Sequence, residues 1–318
     1  MPYIFAFRVL PQILVFSVVV ALLWHWRVLP IVIRGFSWVL RRSLGVGGAV
    51  GVAASASVFL GMVEAPLIIR AYLRNLSRSE LFVVMTCGMS TVAGSIMVLY
   101  ANVLTRVIDG AIGHVLTASV VNVVGAVLVS RILIPEERIT EGGDLADALS
   151  YESSMDAVAR GTVDGVRLVV NVGAMVIVLM SLVGLVNYML GNFMVSGEPL
   201  TLQWLVGWVF APIAWIMGVD WVDAQTAGAL LGTKLILNEL VAYLEFGALG
   251  DSLLPNTRLI LTYALCGFTN FGSLGILIGG VSALVPERRK DLLTLGPKTL
   301  LSGTLVACLT GTIVGIVG

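Results

Sequence analysis

The chain has 318 residues, of which 58% are hydrophobic and 12% are charged, and its formal net charge is zero. Soluble domains carry about 25% charged residues, so this composition excludes an ordinary soluble domain and indicates a membrane protein. The neutral charge balance gives no sign of a nucleic-acid partner. The three cysteines lie in apolar segments without the spacing of a disulfide framework or a zinc site.

The first half of the sequence is a series of apolar segments. A run of about 20 apolar residues matches the hydrocarbon thickness of a bilayer and therefore predicts a membrane-spanning helix. We expect a first span at Phe5–Trp26, which lacks the cleavage pattern of a signal peptide. An amphipathic stretch, an apolar segment interrupted near Glu64 and two further spans follow at 30–44, 47–73, 80–103 and 114–134.

The second half begins with the one long hydrophilic stretch, Pro135–Arg167, which is predicted to be a loop. A clean span follows at Val169–Leu190. The region Leu200–Phe246 is apolar but interrupted by proline and charged residues, and two final spans are expected at Leu259–Val285 and Leu300–Val317. A bilayer tolerates irregular backbone only where protein or a water-filled cavity satisfies its polar groups, so the interrupted segments indicate a binding site.

Two parts of the sequence resemble each other. Each has an interrupted segment with one glutamate, Glu64 or Glu239, followed by a span in which Cys-Gly precedes small and polar residues, at 87–95 and 266–273. The similarity also pairs Leu60-Gly61 with Leu231-Gly232. Chance similarity between apolar segments is the alternative. An odd number of spans between the copies would make them inverted repeats.

Positive charge predicts the orientation, because short cytoplasmic loops are enriched in Lys and Arg. No Lys or Arg occurs between Arg167 and Lys234, so this connection is predicted to lie outside, as is the carboxyl terminus. The hydrophilic loop, the Arg34 segment and the turn Glu287–Asp291 are predicted to lie inside. Lys234 and Arg258 are interpreted as lipid-facing anchors.

Ionisable groups within membrane segments are costly and are therefore functional candidates. Glu64 and Glu239 are the two carboxylates of this kind, and the alternative is a structural role in which each accepts backbone N–H bonds. Asn270, Thr269 and Ser273 place an amide and two hydroxyls in an otherwise apolar span. Such neutral donors and acceptors suit a polyhydroxylated ligand, with helix–helix contact as the alternative.

Six motifs resemble the signature of the concentrative nucleoside transporters, in order and over nearly the whole chain. They are LGMVEAPL (60–67), SRSELF (77–82), MSTVAGS (89–95), GTKLILNELVAY (232–243), ALCGFTNFGS (264–273) and PERR (286–289). The resemblance implies an all-α polytopic membrane protein of inverted repeats, with two re-entrant helical hairpins and two unwound transmembrane helices. The implied parts are a first scaffold span (1–29), a first transport repeat (30–134), a cytoplasmic loop with a scaffold span (135–195) and a second transport repeat (196–318).

The same resemblance implies a symporter that imports nucleosides across the cytoplasmic (inner) membrane, working as a homotrimer without a cofactor. It implies that the first hairpin tip reads the nucleobase, that ribose hydroxyls are held by the second repeat, and that two further side chains line the pocket. The substrate-binding residues so predicted are Met62, Val63 and Glu64 at the tip, Ile96 against the base, Glu239, Asn270 and Ser273 on the ribose, and Phe268 in the pocket wall.

The sequence departs from the family in two places. Met62 and Val63 replace a polar pair, so two hydrogen bonds to the base, each worth about 0.5–1.5 kcal/mol, are lost and weak base selectivity is expected. The sodium site of sodium-coupled members corresponds to Ser57, Leu60, Thr91 and Val92. Ser57 replaces an asparagine ligand there, so H+ is favoured over Na+ as the coupling ion, with Glu64 or Glu239 as the titrating group.

The family usually has two more spans ahead of the first one found here, so a shortened form or a misassigned start codon is expected. A nucleoside-sensing membrane receptor or a channel-like protein is the main alternative function. An intramembrane enzyme is less favoured, because the sequence has neither a histidine near the middle of a span nor a nucleophile-elbow or HExxH motif.

Overall fold

A computed structural model describes residues 10–136, 138–140, 150–195 and 197–317, and this part of the chain is mainly helical. The helices of the first half are α1 (Leu10–His25), α2 (Val28–Leu44), α3 (Gly48–Ala56), α4 (Glu64–Ile68), α5 (Arg70–Leu73), α6 (Arg78–Ser90), α7 (Gly94–Leu104) and α8 (Ala111–Leu133). Those of the second half are α9 (Ser154–Leu190), α10 (Leu202–Ile216), α11 (Trp221–Ile236), α12 (Glu239–Leu249), α13 (Pro255–Ala264), α14 (Phe271–Leu284) and α15 (Arg289–Val317).

The structure contains two short strands that the all-α prediction did not include. β1 (Met194–Val195) and β2 (Glu198–Pro199) pair antiparallel, with Met194 opposite Pro199, between α9 and α10. Single turns of 3-10 helix at Gly250–Ser252 and Pro286–Arg288 precede α13 and α15.

Among the described residues, three helical segments are long and apolar enough to cross a membrane: Arg78–Leu104, Ala111–Leu133 and Pro286–Val317. Two helix pairs also qualify if each bent pair is one span, which raises the number to five. They are α1 with α2, bent by 75°, and α10 with α11, bent by 118°.

The hydrophilic stretch is shorter than predicted, because its last part is the start of α9. Ser153 caps this helix: its side-chain oxygen accepts a hydrogen bond from the Asp156 amide at 3.1 Å, and Asp156 places negative charge in the first turn. The first five residues of the predicted first span, 5–9, and residues 137 and 141–149 of the predicted loop lie outside the described residues.

Four interruptions separate neighbouring helices. Two lie between α3 and α4 and between α11 and α12, at the positions of the two predicted hairpin tips, and are called the first and second hairpin tips. The other two separate α6 from α7 and α13 from α14, within the two similar motifs. Glu64 and Glu239 each begin the helix that follows a tip. The pairing of Leu60-Gly61 with Leu231-Gly232 is wrong, because Gly232 lies inside α11 against Val206 of α10, whereas Gly61 lies at a tip.

Segments predicted to be cytoplasmic meet at one face of the molecule. The guanidinium of Arg131, at the end of α8, donates to the carbonyls of Leu44 and Gly45 after α2. Arg288 donates to the Leu76 carbonyl at 2.6 Å, which joins the turn before α15 to the turn before α6. These bonds satisfy carbonyl groups that the ends of the helices leave without internal partners.

Helices α1 and α9 pack closely through two glycines spaced four residues apart. A Cβ atom at Gly161 would lie 3.0 Å from the Cα of Val18, and one at Gly165 would lie 3.1 Å from the Cα of Leu14. Small residues at this spacing let helix backbones approach within a membrane. This contact holds α9 beside the site described next.

Candidate functional site

The interruptions of the two broken helices lie against each other. The Phe268 amide donates to the Thr91 carbonyl at 3.2 Å, and the Thr269 hydroxyl donates to the Met89 carbonyl at 2.9 Å. Gly267 has a φ of 124°, and a Cβ there would lie 2.5 Å from the Ser90 carbonyl oxygen. Only glycine fits this close contact at this backbone conformation.

Asn122, a fully buried residue of α8, binds both interruptions. Its Nδ2 donates to the Ser90 carbonyl at 2.7 Å and to the Cys266 carbonyl at 3.1 Å. Its Oδ1 accepts a hydrogen bond from the Thr310 hydroxyl of α15 at 2.6 Å. One side chain thus satisfies a carbonyl group from each broken helix and fixes their relative position.

The second hairpin tip meets both broken helices through Glu239, which is 5% exposed. Its Oε1 accepts a hydrogen bond from the Tyr100 hydroxyl at 2.7 Å, and its Oε2 accepts one from Asn270 Nδ2 at 2.8 Å. Asn270 is also the N-cap of α14, since its Oδ1 accepts from the Ser273 amide at 2.7 Å. Asn238 caps α12 in the same way, with its Oδ1 bonded to the Val241 amide at 2.9 Å.

The first hairpin tip packs on glycines. A Cβ at Gly88 would lie 3.3 Å from the Cα of Met62, and one at Gly280 would lie 2.5 Å from a methyl carbon of Val63. Glu64 is exposed, and its carboxylate lies over Gly61. The two glutamates therefore differ: Glu239 is buried, whereas the side chain of Glu64 is exposed and lines the cavity described next.

A cavity of about 410 Å³ lies between the two hairpin tips and the two broken helices. Its volume falls within the range of about 300–1,000 Å³ that is typical of small-molecule sites. All eight residues predicted to bind substrate line it: Met62, Val63, Glu64, Ile96, Glu239, Phe268, Asn270 and Ser273. The cavity extends to Trp24 of α1, to Tyr151 just before α9 and to Asp164 of α9. Burial raises the pKa of the Tyr151 phenol, and the phenol can donate a hydrogen bond there.

The four residues predicted to take part in cation coupling lie on two neighbouring segments. Ser57 and Leu60 belong to the first tip, Thr91 and Val92 to the interruption after α6, and the Gly94 amide joins the segments by donating to the Phe59 carbonyl at 2.9 Å. The hydroxyls of Ser57 and Thr91 donate to the carbonyls of Ala54 at 2.8 Å and Cys87 at 2.9 Å. Their oxygens keep lone pairs that can accept or coordinate.

The interpretation of Lys234 and Arg258 as lipid-facing anchors is wrong. Lys234 is 4% exposed, and its ammonium donates to the Ala264 carbonyl at 2.9 Å inside the protein. Arg258 pairs with Asp251 and donates to the Val107 carbonyl at 3.3 Å. Lys234 thus binds the end of α13, where free carbonyl groups favour a cation, whereas Arg258 binds the turn after α7.

Sequence reasoning missed Tyr100 and Asn122. Each is hydrogen-bonded to a residue far along the chain. Tyr100 binds Glu239, which is 139 residues away, and Asn122 binds Cys266, which is 144 residues away. The signal for Asn122 was a polar amide within the apolar run of α8, and intramembrane polar residues of this kind are usually bonded to other helices.

This architecture defines a class: a polytopic helical membrane transporter whose cavity is enclosed by paired hairpin tips and broken helices. The family model described as Na+ dependent nucleoside transporter C-terminus matches residues 114–315, and the one described as Gate, nucleoside recognition, matches residues 6–106. The chain belongs to the concentrative nucleoside transporter family. It is a transporter and not an enzyme.

Relatives and solved structures are similar over nearly the whole chain. It is 37% identical to the uncharacterized transporter YutK of Bacillus subtilis, over 98% of this chain and 78% of the relative. It is 34% identical to the nucleoside permease NupC of Helicobacter pylori, over 99% of this chain and 76% of the relative. A structure of CNTnw in an inward-facing substrate-bound state is 37% identical, over 99% of this chain and 76% of that chain, with a TM-score of 0.91. A structure of a CNTnw variant in an outward-facing state is 36% identical, over 99% of this chain and 75% of that chain, with a TM-score of 0.91.

Proposed function

We propose that this protein is a secondary active symporter that imports nucleosides across the cytoplasmic membrane by alternating access. The observation that supports this most is the single cavity at which both hairpin tips and both broken helices meet. The relatives named as nucleoside permeases support the substrate. The outward-facing and inward-facing states of CNTnw support the mechanism. The family resemblance supports a homotrimer.

The ribose end of the substrate is assigned to Glu239, Asn270 and Ser273. Each oxygen of Glu239 already accepts one hydrogen bond, and each keeps a lone pair for a sugar hydroxyl. The second N–H of the Asn270 amide and the hydroxyl of Ser273 supply further donors. Hydrogen bonds between a carboxylate and hydroxyl groups are shorter and stronger than neutral ones, which favours a sugar with adjacent hydroxyls.

The base end is assigned to Met62, Val63, Ile96 and Phe268, with Glu64 as the polar group. Apolar contacts distinguish similar ligands by only about 10–200-fold, whereas hydrogen-bonded sites reach higher ratios. Weak discrimination between purine and pyrimidine nucleosides follows from this lining, while free bases, which lack the ribose, are poor substrates.

A proton is the favoured coupling ion, and Na+ is the alternative. Ser57 supplies one hydroxyl where the sodium-coupled pattern has an amide oxygen, and that hydroxyl already donates to the Ala54 carbonyl. Glu64 at the first tip is exposed to the cavity and can exchange a proton with the solution. Protonation of Glu64 when substrate is bound would couple proton entry to nucleoside entry.

The test is uptake of labelled uridine and adenosine by proteoliposomes under separate sodium and proton gradients. We expect uptake to follow an inward proton gradient and to persist when sodium is replaced by choline at fixed pH. Liposomes that contain a Glu239→Gln variant are the matched control. If sodium removal stops uptake, the proton assignment is wrong. If no gradient drives accumulation above equilibrium, the protein is a channel or receptor rather than a symporter.

A further inference from the structure

The carboxyl end of α13 has partners for all of its terminal carbonyl groups. These are the four carbonyls of Leu261–Ala264, which have no partner within the helix. Two accept backbone N–H groups of the residues that follow, at 2.9 and 3.1 Å. The other two accept hydrogen bonds from side chains of the second hairpin. The Tyr243 hydroxyl donates to the Thr262 carbonyl at 2.9 Å, and the Lys234 ammonium donates to the Ala264 carbonyl at 2.9 Å. The hairpin therefore completes the end of the broken helix, and one of its two donors is an ammonium.

Lys234 is held in the protein interior without an ion-pair partner among the described residues. It lies in the last turn of α11. An isolated buried ammonium is costly. The carboxyl end of a helix offsets part of this cost, because its free carbonyls and the helix dipole favour positive charge.

The first repeat has a different chemistry near the end of the matching helix. Ser57 directly follows α3, the first arm of the first hairpin, whereas Lys234 lies in the last turn of α11, the first arm of the second. Each lies next to an interruption, after α6 in the first case and after α13 in the second. The first repeat offers hydroxyl and carbonyl oxygens that suit a free cation. The second repeat carries a cation attached to its own backbone.

We propose that Lys234 is a built-in cation, whose ammonium fills at the end of α13 the place that a free ion would otherwise occupy in the second repeat. It is a positioning residue, because it holds the second hairpin to the interruption that carries Asn270 without lining the cavity itself. This inference rests on the proposed function and deepens it: the coupling ion binds in the first repeat only, and the second repeat needs none.

The surroundings of Lys234 suit a small cationic replacement. A cavity of about 20 Å³ beside it is lined by Leu235, Ala264, Thr269 and Cys308 among others. This is room for about one water molecule, and the ammonium has three N–H donors. Truncation of the side chain to alanine would add the volume of three methylene groups and the nitrogen. That space fits a methylammonium or ethylammonium ion.

The test is equilibrium binding of labelled uridine to purified protein in detergent, which requires no ion gradient. We expect Lys234→Ala to weaken binding about tenfold or more, because a charge-assisted bond that orients the site is lost. Millimolar methylammonium or ethylammonium chloride should restore most of the affinity, whereas tetramethylammonium and ethanol should not. Lys234→Met, which fills the space with a neutral chain, should bind weakly with or without the amine. Lys298→Ala, which truncates an exposed lysine of α15, is the control.

The outcomes separate the inference from the proposed function. If the wild type binds no nucleoside, the proposed function fails. If the wild type binds and Lys234→Ala either binds equally well or stays weak in every amine, the built-in cation is wrong. If the alanine variant folds only when methylammonium is present during purification, the inference is supported. If Lys234→Ala unfolds in every amine while Lys234→Met binds uridine as tightly as the wild type does, the inference is wrong.

Discussion

Tyr100 belongs to the first repeat, and its hydroxyl binds a glutamate of the second. The side chain is 1% exposed, and its ring lies 4.7 Å from that of Tyr243, measured between centroids. The hydroxyl satisfies one oxygen of Glu239, and Asn270 satisfies the other. Because the carboxylate is held by a group from each repeat, its position depends on both.

We expect Tyr100→Phe to weaken uridine binding about tenfold, because a buried carboxylate oxygen loses its donor and this costs about 1–3 kcal/mol. The aromatic ring, and therefore the packing, is retained. Tyr263→Phe is the matched control, since that hydroxyl meets His114 at 2.9 Å and not the carboxylate. Equal binding by Tyr100→Phe and the wild type would show that Glu239 is positioned by Asn270 alone.

The sequence could locate the site residues that match family motifs, but it could not locate Tyr100 and Asn122, which lie outside those motifs. The eight predicted substrate-binding residues line one cavity, while their roles stay predictions. Lys234 was misread because hydropathy alone cannot show whether a lysine in an apolar segment faces lipid or a helix end. The exposure of Glu64 could not be predicted either, because it depends on the cavity, which forms only after four distant segments have packed together.

Among the secondary structure elements, the two broken helices behave as one unit because α8 binds both of them. Asn122→Asp tests this. The change is isosteric and keeps the acceptor for Thr310, but it removes both donations and brings a carboxylate to two carbonyl oxygens. We expect the melting temperature to fall by several degrees and the maximal uptake rate to fall about tenfold, since unsatisfied buried groups cost about 1–3 kcal/mol each.

Ser119→Ala is the control on the same helix. Ser119 is fully buried, yet its hydroxyl makes only a long contact of 3.7 Å with the Cys266 sulfur. Near wild-type melting and uptake are expected for it. If Asn122→Asp matches this control in both measurements, the two interruptions are held together by their direct bonds and α8 contributes little.

The order and type of most helices could be predicted from apolar runs, and their ends could not. Hydropathy placed the beginning of the span at Val169, whereas α9 begins at Ser154. Its first 14 residues carry four charged side chains and were predicted to be part of a loop, because a charged helix and a loop have similar hydropathy. The interruptions were easier to predict, since glycine, proline and small polar residues weaken a helix wherever the surroundings can satisfy the backbone.

At the scale of the whole molecule, the cavity reaches the beginning of α9, which follows the hydrophilic loop on the face of Arg131. Positive charge predicts that this face is cytoplasmic. We expect a cysteine at Asp164, which is exposed in the cavity wall, to react with a membrane-impermeant thiol reagent from the cytoplasmic side, and uridine to slow that reaction.

A cysteine at Thr105 is the matched probe for the opposite face, where this residue lines a polar pocket with Asp251 and Arg258. It should react only from the outside and without protection by uridine. Background should be low, because Cys87 and Cys266 are buried and Cys308 is half-buried. Labelling of both probes from the same side would show that the predicted orientation is wrong.

The hydrogen bonds that Asn122, Thr269 and Phe268 make at the two interruptions have a thermodynamic consequence. The carbonyl groups that they bind are already paired, so the arrival of a nucleoside orders little backbone. Association therefore loses less free energy to entropy than it would at a site that must fold around its ligand. A ligand shifts a conformational equilibrium only by its difference in affinity for the two states. The more rigid the two interruptions are, the larger the share of binding free energy that remains to favour one conformational state of the protein over the other.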